Sequence, residues 1–86
     1  MFAVIWLDIV LDELADIVVT ADLATQDRMT KAVERMNRRL ASRPHEEGES
    51  RGSTDRITFP EHLAVWFSID ETQRVVRVQG VKRYGG

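Results

Sequence analysis

The chain contains no cysteine. It can therefore use no disulfide, no thiolate nucleophile and no thiolate metal ligand, and this suits a reducing compartment. Proline is nearly as scarce, with two in 86 residues, at positions 44 and 60. The first half of the chain thus lacks the residue that most sharply ends helices. No Lys or Arg precedes Arg28, which leaves no basic n-region of a secretory signal. The longest apolar runs, "FAVIWL" and "LAVWF", fall far below the roughly 20 residues that cross a bilayer. These absences point to one soluble domain over residues 1–86, working in the cytoplasm away from membranes.

The charge is unevenly placed. The net value is -2, yet residues 1–27 hold six acids (Asp8, Asp12, Glu13, Asp16, Asp22 and Asp27) and no base, while the remainder holds twelve bases against eight acids. A polarised chain of this kind can present a basic face despite its acidic total.

Residues 2–7 are β-branched and aromatic and read as a short buried strand, too apolar for a sheet edge. Asp8 is placed to cap a first helix, on which Leu11, Leu14, Ala15, Val18 and Val19 recur at helical spacing opposite Asp12, Glu13 and Asp16. Asp22 is a second cap. The pattern over 24–42 predicts a longer helix with Met29, Val33, Met36 and Leu40 as its apolar stripe and Pro44 beyond its end. After the polar loop "RPHEEGESRGST" the period changes to two. "DRITF", "LAVWFSI" and "RVVRVQGVK" then read as three strands joined by the turns "PEH" and "DETQ". The predicted class is α+β, in the order β-α-α-β-β-β, with a helical hairpin on one face of a four-stranded, mainly antiparallel sheet.

Alternation predicts the faces. Ile57 and Phe59 are expected inward, as are Leu63, Val65, Phe67, Ile69, Val76 and Val78. Arg56, Thr58, Ala64, Trp66, Ser68, Arg77, Gln79 and Arg83 are then expected on the open face. Arginines around a tryptophan can pair phosphates and stack a base. The loop residues Glu49 and Arg51 either line the mouth of that face or form a local ion pair. His45 and His62 are 17 positions apart and have no companion donors, so no metal site is expected.

With its elements in this order, the chain resembles the RelE/ParE superfamily, the plasmid-stabilisation type of toxin in bacterial type II toxin–antitoxin pairs. The resemblance rests on "VIWLDIVLDELADI", "ATQDRMTKAVERMNRRLASRP", "GESRG", "RITF", "LAVWFSID" and "VVRVQGVKRY", which together span nearly the whole chain. It implies the same fold and a toxin neutralised by a cognate antitoxin protein. In the RelE-like branch it implies ribosome-dependent cleavage of mRNA with no metal or other cofactor. Arg56 and Thr58 stand where that branch has two basic residues, and Ala64 stands where it has an arginine. Arg83, or Lys82 after a slip of one, matches its last-strand arginine, and Tyr84 stands for its C-terminal aromatic. The chain ends in "YGG", without the tail that bears on activity in such toxins.

The resemblance thus gives Arg56, Arg83 and Tyr84 as catalytic candidates. Arg51, Arg56, Trp66, Arg77, Gln79, Lys82 and Arg83 are the candidates for holding nucleic acid or a partner. Two of the four basic positions are absent. A metal-free cleavage also needs a group to take the 2′-hydroxyl proton, for which arginine is too weak a base. In the ParE-like branch the implied target is DNA gyrase, and no hydrolytic site is required. A third reading is a non-catalytic module of the same fold that binds protein or nucleic acid through its open face.

Overall fold

The computed structural model describes residues 1–85. The elements are β1 (Ala3–Trp6), α1 (Asp8–Val19), α2 (Leu23–Ser42), a 3-10 turn (Pro44–Glu46), β2 (Glu49–Ser50), β3 (Asp55–Thr58), β4 (Leu63–Asp70) and β5 (Val75–Arg83). The sheet has five strands rather than the four expected, in the order β1-β5-β4-β3-β2. The extra strand, β2, is a two-residue pairing of the loop with β3. β1 runs parallel to β5, and the other three pairings are antiparallel.

β1 lies at an edge of this sheet, which corrects the expectation that so apolar a strand would sit inside it. Of its side chains, Val4 and Trp6 pack against the core under the helices, whereas Ile5 is 45% exposed on the opposite face.

The α2 stripe is as the spacing predicts. Met29, Met36 and Leu40 are fully buried and Val33 packs beside them. Asp22 caps this helix by accepting a hydrogen bond from the Thr25 amide at 2.8 Å, which satisfies one of its orphan donors. α1 differs in two ways from the sequence reading. Asp8 is its first helical residue and not its cap, since Leu7 occupies the cap position. Its inward face is Val10, Leu14, Ile17 and Val18, while Leu11 and Val19 are exposed. The core is completed by Leu63, Val65, Phe67 and Ile69 of β4 and by Val76, Val78 and Val81 of β5.

Two local features set which residues face which way. β4 and β5 slip by one residue between Trp66 and Phe67, because Trp66 pairs with Gly80 and Phe67 with Val78, leaving Gln79 as the extra residue of a β-bulge. β3 pairs Arg56 with Phe67, Ile57 with Trp66 and Thr58 with Val65. Directly opposed residues share a face, so Arg56 and Thr58 lie on the helix-covered side and Ile57 lies on the open side. This reverses the predicted orientation of β3.

Candidate functional site: the open sheet face

The open face is built around Trp66. Its indole lies across Gly80, with Cε3 3.5 Å from the position that a side-chain carbon at Gly80 would take. Ile57 adjoins it from β3, and Gln79, Lys82 and Glu13 of α1 line the same shallow recess. The predicted exposure of Trp66 on this face therefore holds, although the side chain is half-buried by its neighbours.

Towards the start of β4, Phe59 and Tyr84 meet with ring centroids 4.6 Å apart and planes tilted by 44°. β4 runs between the strands that lead to these rings, and Ala64, on the same face, is only 4% exposed. Phe59 was expected to face inward; it forms part of this aromatic roof instead. Lys82, paired with Ala64, is the exposed cation beside it.

The arginines are dispersed. Arg56 is on the helix-covered side, where its Nε donates to the Glu47 carbonyl at 2.9 Å and its Nη2 to the Gly48 carbonyl at 3.0 Å. Arg77 does lie on the open face, but at 3.5 Å from Asp70, and its Nη2 donates to Gln73 Oε1 at 3.4 Å. Asp70 also accepts the Gln73 amide at 3.0 Å, which closes the β4–β5 turn. That backbone hydrogen bond, helped by the side-chain bond and charge of Arg77, outweighs the opposing effect of desolvation and holds the Asp70 carboxyl below its ordinary range. Arg83 pairs with Leu63, so the bulge turns it to the helix-covered side and puts Lys82 on the open face. Arg51 forms the local ion pair, 2.9 Å from Glu49, in the loop. Of the basic candidates, the fold brings Lys82 and Arg77 to the face of Trp66 and leaves Arg51, Arg56 and Arg83 elsewhere.

A polar cluster on the helix-covered side was not legible in the sequence. Glu47, 8% exposed, accepts two hydrogen bonds from Arg39, at 2.7 and 3.1 Å, and one from the buried Thr58 hydroxyl at 2.7 Å. Burial alone would push this carboxyl up. The Arg39 and Thr58 hydrogen bonds, with the charges of Arg39 and Arg56, together outweigh it and leave the pKa below the ordinary 4.5. The one available signal was Thr58 itself, a β-branched polar residue alternating with two apolar ones. His62, in the turn before β4, has a positive φ of 58° and accepts the Tyr84 amide on its carbonyl at 2.7 Å. Among the described residues, no group of three or more His, Asp or Glu side chains is placed to hold a metal ion.

No family model and no curated protein matches the chain. A solved structure does: the isolated E. coli RelE toxin superposes with a TM-score of 0.66 over 100% of this chain and 87% of that one, at 13% sequence identity. The fold is RelE-like. That likeness covers the whole arrangement of helical hairpin and sheet, while most positions carry different residues.

Proposed function

We propose that this chain is the toxin component of a type II toxin–antitoxin pair, of the plasmid-stabilisation kind, held inactive in the cytoplasm by a cognate antitoxin protein. We further propose that it acts by binding a protein target, of which DNA gyrase is the first candidate, without cleaving RNA. The toxin role draws its support from the RelE-like fold. The non-hydrolytic action draws its support from one observation: the cations a metal-free nuclease would need do not converge on the open face.

Stabilising a pentavalent phosphorane calls for preorganised positive charge at one point. Here Arg56 is held by two backbone carbonyls on the other side of the sheet, and Arg77 faces Asp70. The Ala64 position supplies no cation and is only 4% exposed. What the face offers is a half-buried indole, an aromatic pair, Gln79 and a single lysine. Such a surface is apolar at its centre and polar at its rim, as binding patches are.

The test is induced expression in E. coli with and without the neighbouring short open reading frame, with growth followed and mRNA ends mapped. Arrest relieved by that frame, accompanied by a DNA-damage response and intact message, is the expected result. Arrest with cuts inside translated codons would overturn the non-hydrolytic reading and return Arg56, Arg83 and Tyr84 to catalytic candidacy. No arrest, with folded protein present, would overturn the toxin role and leave a binding module of the same fold.

A further inference from the structure

β1 is an edge strand whose outward hydrogen-bonding groups are unused. The Ala3 amide donates to the Arg74 carbonyl at 3.0 Å and the Leu7 amide to the Val78 carbonyl at 3.3 Å, so the odd-numbered residues of β1 face β5. Phe2, of the other parity, donates its amide to the Ala41 carbonyl of α2 at 2.7 Å. Val4 and Trp6 therefore turn their N–H and C=O groups away from the sheet, and among the described residues these groups have no protein partner. Proteins blunt such edges with lysine, proline or a bulge. β1 has none of these, and no side chain of residues 1–7 carries a charge.

We propose that two copies of this chain associate through these free edges, in an antiparallel two-fold pairing centred on Ile5 that joins both sheets into one. The outward groups fix the register. Hydrogen-bonded antiparallel pairs set outward residues against outward residues, so Val4 lies opposite Trp6 of the second copy, and Ile5 opposite Ile5 across the axis.

The ends of the edge are complementary to each other in charge, which is why a second copy is the occupant. Arg38 is exposed and lines the groove that runs past Phe2, Val4 and Trp6, while Asp8 is exposed where β1 meets α1. The antiparallel arrangement brings each Asp8 towards the other copy's Arg38, once on either side of the axis. The neutral middle of the strand gives no repulsion there. An isologous contact of this kind closes on itself and yields a dimer, not a filament.

The absence of native cysteine makes the test direct. Sedimentation equilibrium of the intact chain should give twice the 9.9 kDa monomer mass. In a non-hydrogen-bonded antiparallel pair the opposed Cα atoms are about 4.5 Å apart, within the range that a disulfide bridges. Ile5→Cys should therefore form a covalent dimer under mild oxidation, far faster than Leu23→Cys on the exposed start of α2. Ala3→Cys and Leu7→Cys should each stay monomeric alone and cross-link when mixed, because the register sets position 3 against position 7. Ile5→Lys, which places like charges on the axis without touching the ladder to β5, should keep its circular dichroism spectrum and weaken association at least tenfold.

A monomeric mass at every concentration would overturn the proposal, as would Ile5→Cys cross-linking no faster than Leu23→Cys. Ile5→Cys shielded only when a different protein is added would also overturn it, by giving the edge to that protein's strand.

Discussion

Arg39 and Glu47 meet through two hydrogen bonds, at 2.7 and 3.1 Å, eight residues apart in the chain and on either side of the 3-10 turn at Pro44–Glu46. The second carboxylate oxygen also receives the Thr58 hydroxyl, so one side chain joins the end of α2 to β3. Glu47 is the fastening between the helical and the sheet halves of the domain.

Replacing Glu47 by Gln should cost about 2 kcal/mol, the scale of hydrogen bonds to a charged group when their partners are left behind. Half of the Arg39 side chain is solvated, which keeps the loss below that of a fully buried ion pair. Urea unfolding followed by circular dichroism measures it, and an unchanged midpoint would show that the fastening contributes nothing.

The same carboxylate predicts a pH dependence. Its pKa in the folded chain lies below the unfolded value near 4.5. A group depressed on folding contributes stability that is fully present above the unfolded pKa and is lost as pH falls through the folded one. The native chain should therefore lose stability below about pH 4.5 more steeply than the Glu47→Gln variant. Parallel curves for the two proteins between pH 5 and pH 3 would refute the assignment.

Gly48 should tolerate no side chain. Its φ is +65°, and an added carbon would stand 2.0 Å from the Ile57 carbonyl oxygen, an atom of the β3 backbone. Gly48→Ala should destabilise by about 3 kcal/mol or more, from the strained dihedral and the collision together. Gly80→Ala is the control, because its new carbon would meet only the Trp66 ring, at an ordinary 3.5 Å. Thermal unfolding of the two variants should separate them widely.

Trp66→Ala should cost about 1 kcal/mol or a little more, below the roughly 3–5 kcal/mol of a fully buried aromatic. Its effect on target binding should be larger, because a desolvated tryptophan at the centre of an interface carries much of the affinity. Equilibrium unfolding and a pull-down of the target with the variant test the two halves separately. A loss of 4 kcal/mol would make Trp66 a core residue.

The sequence was most legible where one rule acted alone. On α2 the period of 3.6 and the Asp22 cap gave both the stripe and the start, because one face meets the core and the other meets water. β4 was legible for the same reason. β3 was not. It lies towards the side of the sheet where its inward residues meet Glu47 instead of an apolar core, while its apolar residues build the aromatic open face. Assigning the apolar residues inward therefore selected the wrong parity. On β5 the alternation held up to Val78 and failed beyond Gln79, since nothing in "VQGVKR" announces a bulge except the glycine after it. The edge position of β1 was hidden because its composition describes a strand with neighbours on both sides.

The bulge at Gln79 keeps two strands of unequal length in step. β5 carries one residue more than β4 between Val78 and Gly80, and setting Gln79 outside the ladder is what leaves Lys82 opposite Ala64 and Arg83 opposite Leu63. Deleting Gln79 would remove the bulge and keep those pairings, so Lys82 would still look out beside Trp66. In a fold that tolerates 13% identity to a structural relative, such a position lets the chain change length by one residue while the core and the open face stay where they are.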